Sequence, residues 1–93
     1  MAVYQIDYDL RNKGSYQALY ERLRSYQVWC RPLESTWVIA TQESATQVRD
    51  YLLGVMDQDD GILVTRLRSE AAWHGIDAEV GSYLKSLLER QAA

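Results

Sequence analysis

Strand-like and helix-like segments follow one another along the chain in the order strand, helix, strand, strand, helix, strand, helix. A spacing of two belongs to a pleated strand and one of 3.6 to a helix. In Ala2 to Tyr8, Tyr4, Ile6 and Tyr8 alternate with Val3, Gln5 and Asp7, which predicts a first strand. Asn12, Lys13 and Gly14 then read as a loop, and Ser15 as a helix N-cap. Tyr16, Leu19, Tyr20 and Leu23 fall at i, i+3, i+4, i+7, one face of a helix ending near Tyr26. Val28 to Leu33, finished by Pro32, and Ser35 to Thr41 read as two strands of a hairpin. A second helix opens at Glu43 or Ser44, with a stripe of Ala45, Val48, Leu52 and Val55 and with Gly54 near its end. Ile62 to Leu67 is a fourth strand and residues 69–76 a loop. A last helix runs from about Asp77 to Arg90 on the stripe Val80, Tyr83, Leu84, Leu87 and Leu88.

The order β-α-β-β-α-β plus a C-terminal helix is α+β. It matches the split βαβ, or ferredoxin-like, arrangement with a four-stranded antiparallel sheet. The core covers about residues 2–68 and the extra helix about 77–90, within a single domain spanning 1–93. Right-handed crossovers place the first two helices on one face of the sheet. The other face, expected to carry Trp37 or its neighbours, is left bare. A second copy, the last helix, or both are expected to cover it, with a two-fold homodimer as the default.

Composition narrows the function classes. The chain is 47% hydrophobic and 25% charged, a globular balance that argues against disorder. No apolar run reaches the roughly 20 residues of a membrane helix, so no membrane partner is expected. No secretory leader is recognisable. One cysteine, Cys30, excludes an internal disulfide and a cysteine metal cluster, and it points to a reducing cytoplasmic setting. A net charge of −3 weighs against a protein devoted to coating nucleic acid.

Several side chains carry candidate chemistry. Asp7 and Asp9 lie two apart on strand one, so they share a face about 6.6–6.8 Å apart. With a second pair from another copy they would form an oxygen-ligand cluster suited to Mg²⁺ or Mn²⁺. The plainer reading is a solvated strand end with Asp9 at a turn. Arg11 and Lys13 flank Asp9 and would draw phosphate there. Arg66 and Arg68 form a second basic cluster, and Tyr8, Tyr16 and Trp29 offer stacking surface. Against these stands a solvated helix face, with its arginines pairing to Glu21 and the aromatics in the core. Asp57, Asp59 and Asp60 lack the glycine and glutamate of a calcium loop and read as a tight polar turn. Cys30 reads as a small hydrophobe. His74, the one histidine, is chemically suited to general acid or base work, and the plainer reading is a Trp73-His74-Gly75 turn expected to dock the tryptophan on the core. No phosphate loop, dinucleotide fingerprint or Ser–His–Asp pattern is present.

The residues resemble a known family. Tyr4-Gln5-Ile6-Asp7-Tyr8-Asp9-Leu10 looks like the first strand of CRISPR-associated protein 2. Ser25-Tyr26-Gln27 before a Ser-Thr-bearing strand, and the turn Met56-Asp57-Gln58-Asp59-Asp60-Gly61, are similar to it. Glu34-Ser35-Thr36-Trp37 and Ala71-Ala72-Trp73-His74-Gly75 look like the SinR-like small bacterial proteins related to that subunit. The resemblance covers about residues 2–68. It implies a ferredoxin-like homodimer acting as a nucleic-acid- or protein-interaction module without strong catalysis. It also implies an alternative: a Mg- or Mn-dependent endonuclease with Asp9 as catalytic metal ligand, paired across the dimer, or a toxin-like ribonuclease. Asp7, the tryptophan segment after strand four and the acidic balance depart from the family pattern.

Overall fold

The computed structural model describes residues 1–11 and 16–91. The expected loop Asn12–Gly14 and the cap Ser15 lie outside the described residues. The elements are β1 (Ala2–Asp9), α1 (Tyr16–Arg24), β2 (Val28–Leu33), β3 (Thr36–Thr41), α2 (Ala45–Leu53), β4 (Gly61–Arg66) and α3 (Ala78–Glu89). They form a four-stranded antiparallel sheet in the order β2-β3-β1-β4.

Local chemistry sets the helix boundaries. The Ser44 hydroxyl accepts from the Gln47 amide, and the Gln47 side chain accepts from the Ser44 amide. This reciprocal cap satisfies two of the amide donors left over at the start of α2. The Asp77 carboxylate accepts from the Glu79 and Val80 amides and starts α3 in the same way. Helix α1 stops at Arg24, two residues before the expected end, where the Ser25 amide closes onto Glu21 and Arg22 carbonyls.

Alternation along the strands sends side chains into two separate layers. On one face Tyr4, Ile6, Trp37 and Ile39 pack with Leu19 and Leu23 of α1 and with Val48 and Leu52 of α2. On the other, Val3, Cys30, Val38 and Ala40 pack with Leu84, Leu87 and Leu88 of α3. Each of these leucines is at most 6% exposed and contributes about 1.5–3 kcal/mol through burial. The last helix is therefore a cover for the second face. Of Trp37 and its neighbours, Val38 and Ala40 lie on that face and Trp37 on the other. Val3 and Ile6 carry opposite parity in β1, and the pairing of Ile6 with Trp37 puts the tryptophan under α1. Its neighbour Val38 is the residue α3 covers.

The α3 cover is incomplete. The register places Leu33, Thr36, Asp7 and Leu63 in one row across all four strands. The row lies on the α3 face but nearer the acidic end of the sheet. Leu63 is 61% and Leu33 51% exposed. The loop after β4 carries Trp73 back onto α3, where its indole nitrogen lies 3.2 Å from the position a Cβ on Gly81 would take. Trp73 thus docks on the helix backbone and stays 40% exposed, rather than entering the core. Among the described residues no helix is long and apolar enough to cross a membrane.

Candidate functional site at the acidic end of the sheet

The end of β1 brings the candidate carboxylates together with the turn that starts β4. Asp9 pairs with Gly61 and Asp7 with Leu63 in the β1–β4 ladder. Asp7, Tyr8, Asp9, Gly61, Ile62 and Leu63 line a shallow cleft of about 300 Å³. The two expected metal ligands therefore share one surface depression, and both are engaged by neighbours. Asp7 Oδ1 accepts from the Thr36 hydroxyl at 2.6 Å, and Oδ2 accepts from the Gln5 side-chain amide at 2.9 Å. Asp9 Oδ2 accepts from Arg11 Nε at 3.3 Å, with both side chains more than half exposed. An ion pair this open is worth little in water, about 0–1 kcal/mol.

Arg11 is bound into the acidic turn. Its amide donates to Asp60 Oδ1 at 2.8 Å, and its guanidinium also donates to the Asp59 carbonyl at 2.8 Å. The Asp57 amide donates to Asp60 Oδ2 at 2.9 Å, and the Asp60 amide returns to the Asp57 carbonyl at 3.0 Å. This is the tight polar turn that the sequence suggests. Lys13, the second expected phosphate contact, lies outside the described residues. Among the described residues no group of three His, Cys, Asp or Glu side chains is placed to hold a metal ion. One chain thus brings two carboxylates to the cleft.

Behind the cleft lies an aromatic wall. Trp37 Nε1 donates to the Tyr8 hydroxyl at 3.2 Å, and Tyr8 donates to the Glu34 carbonyl at 3.2 Å. Burial pushes the Tyr8 phenol up to about 12, against the lowering effect of the Trp37 hydrogen bond. The Trp29 and Trp37 ring centres are 5.1 Å apart, and the Arg31 guanidinium lies over Tyr20 and Trp37 at 4.5 and 5.3 Å. Of the rings expected to offer stacking surface, Tyr16 and Trp29 keep exposed edges, while Tyr8 is half-buried. Arg22 does not pair with Glu21 among the described residues. It crosses to α2, donates to the Tyr51 carbonyl and covers the Tyr51 ring at 4.7 Å.

The remaining candidates fall away from the cleft. Cys30 is 6% exposed beneath α3, and burial pushes its thiol up to about 11, the condition of an unreactive core cysteine. His74 sits exposed beside Gly75, whose φ of +77° makes the bend. One cluster eluded the sequence reading: Arg90, at the end of α3, joins Arg66 and Arg68 at the far end of β4. No local motif links residues 22 or more positions apart, so only the fold brings them together. No family model matches the chain, and no solved structure matches it.

Proposed function

We propose that this chain is a self-associating interaction module of ferredoxin-like topology. The strand order β2-β3-β1-β4, with helices joining β1 to β2 and β3 to β4, supports that topology. The observation that carries the function is the row Leu33–Thr36–Asp7–Leu63, whose two leucines stand in water beyond α3. A second copy is the fitting occupant. The polar centre of the row is already paired within the chain, Asp7 to Thr36 and Gln5. A partner covering it therefore gains the leucine area and meets a carboxylate whose oxygens are already hydrogen-bonded. The row ends at the unpaired edge of β4. There Gly61–Arg66 has no proline and no bulge, whereas β2 has Pro32 and a register shift. The resemblance to CRISPR-associated protein 2 agrees with a dimer that meets nucleic acid, and a buried free thiol suits a cytoplasmic protein. Light scattering on the full chain tests this. The wild type runs as a dimer, and Leu63→Glu, at an exposed position that the fold does not need, runs as a monomer. A wild-type monomer refutes the proposal.

A second reading rests on Asp7 and Asp9 lining one cleft. Two copies facing across that end would pool four carboxylates, a donor set for Mg²⁺ or Mn²⁺ in a nuclease. In this reading Asp9 is the metal ligand with Asp7 beside it, and the substrate is RNA or DNA. Mn²⁺-dependent cleavage that Asp9→Ala abolishes would establish it. No cleavage by the wild type with either metal removes it.

A further inference from the structure

The opposite end of β4 carries the reverse charge. Antiparallel pairing puts Gly61 beside Asp9 and Arg66 beside Tyr4. The two ends of the strand are therefore about 17 Å apart. A cleft of about 480 Å³ opens at the basic end, lined by Met1, Arg66, Leu67, Arg68, Arg90 and Gln91. Two hydrogen bonds border it. The Leu67 amide donates to the Val3 carbonyl at 2.8 Å, which carries the chain past the end of β4. The Gln91 side chain donates to the Met1 carbonyl at 3.4 Å and ties the end of α3 to the start of β1.

We propose that this cleft binds a multiply charged phosphate group, either free diphosphate or the polyphosphate of a nucleotide. Three arginines line it, and among the described residues no Asp or Glu does. Among the described residues the ion pairs are Arg11–Asp9 and Arg49–Asp50, so Arg66, Arg68 and Arg90 have no carboxylate partner. Three such residues lining one cleft, in a chain of net charge −3, mark a local field that opposes the net charge. Each guanidinium offers a planar fork of N–H donors that fits phosphate oxygens in pairs, and it stays charged at every physiological pH. A phosphoryl group carries about −1.5 to −2 charges. Two phosphoryl groups therefore balance three arginines, whereas a carboxylate leaves most of the charge uncompensated. The lining has no aromatic ring, so the cleft grips the phosphates and leaves a nucleoside outside. The volume lies within the range of small-ligand sites, about 300–1,000 Å³.

Calorimetry on the full chain tests the site with pyrophosphate, ATP, sulfate and a short DNA duplex. The proposal expects saturable binding of pyrophosphate and ATP, with sulfate much weaker. Arg68→Gln and Arg90→Gln should each weaken pyrophosphate about tenfold, and the double variant should abolish measurable binding. All three arginines are exposed, so these variants keep the wild-type circular dichroism and melting midpoint. Pyrophosphate that does not bind, or that binds the double variant as well as the wild type, overturns the proposal. Duplex binding that needs these arginines while pyrophosphate and ATP do not bind also overturns it, in favour of a contact to the nucleic-acid backbone. None of these outcomes depends on whether the chain forms dimers.

Discussion

Thr36 Oγ1 donates to Asp7 Oδ1 at 2.6 Å across the β1–β3 pair. With the Gln5 amide on the other oxygen, it turns a carboxylate on a half-covered sheet face into a structural member. Thr36→Val removes one donor to a charged acceptor, and the expected loss is about 1–2 kcal/mol. Urea unfolding measures it as a lower midpoint at unchanged slope. An unchanged midpoint would mean that water replaces the hydroxyl without cost.

The α3 cover accounts for a large part of the stability. Leu87 is 1% exposed between α3 and the sheet. Leu87→Ala is expected to cost about 2–5 kcal/mol, out of a total of about 5–15 kcal/mol for a domain of this kind. Loosening α3 bares Val3, Val38 and Ala40, so the variant should also bind an apolar dye before its main unfolding transition. A single transition with no early dye signal would show that α3 and the sheet unfold together.

Alkaline pH tests the second core layer. Burial raises the Cys30 thiol to about 11, against about 8.5 in an unfolded chain. The fold thus favours the neutral thiol. Its contribution is complete below pH about 8.5 and is lost as pH rises through about 11, on the order of 3 kcal/mol in all. Tyr8, raised to about 12, acts in the same direction at higher pH. Melting midpoints of Cys30→Ala should fall less than wild type between pH about 8.5 and 11. Parallel declines would contradict this assignment.

Gly75 makes the bend that returns Trp73 to α3. Its φ is +77°, and a Cβ there would meet nothing within 4 Å. Gly75→Ala therefore costs backbone strain alone, about 1–2 kcal/mol. Trp73 fluorescence should shift toward that of exposed indole if the bend relaxes. An unchanged melting midpoint and spectrum would show that the loop absorbs the change.

The sequence reveals β1 and α3 because each has one dominant period. The alternation of Tyr4, Ile6 and Tyr8 and the Val80–Leu88 stripe both match observed elements. Boundaries drift by one or two residues where pairing decides them: Asp9 recruits Gly61 into β4, which starts one residue before the expected Ile62. Which of Trp37 and its neighbours meets α3 is not legible in the sequence, because every residue of Trp37–Ala40 is apolar and β3 has no alternation to read. At the site, Asp7 and Asp9 do share a cleft, as spacing on a strand requires. Spacing could not reveal that Thr36, Gln5 and Arg11 bind them, because those contacts depend on strand register and on the folded turn.

Sedimentation equilibrium on the full chain, across the micromolar range and beside Leu63→Glu, addresses the uncovered leucine row most directly. A wild-type mass that rises to twice that of one chain, with the variant remaining at the mass of one, is the expected result. A wild-type mass of one chain at every concentration would contradict the proposal that this end of the sheet meets a second copy.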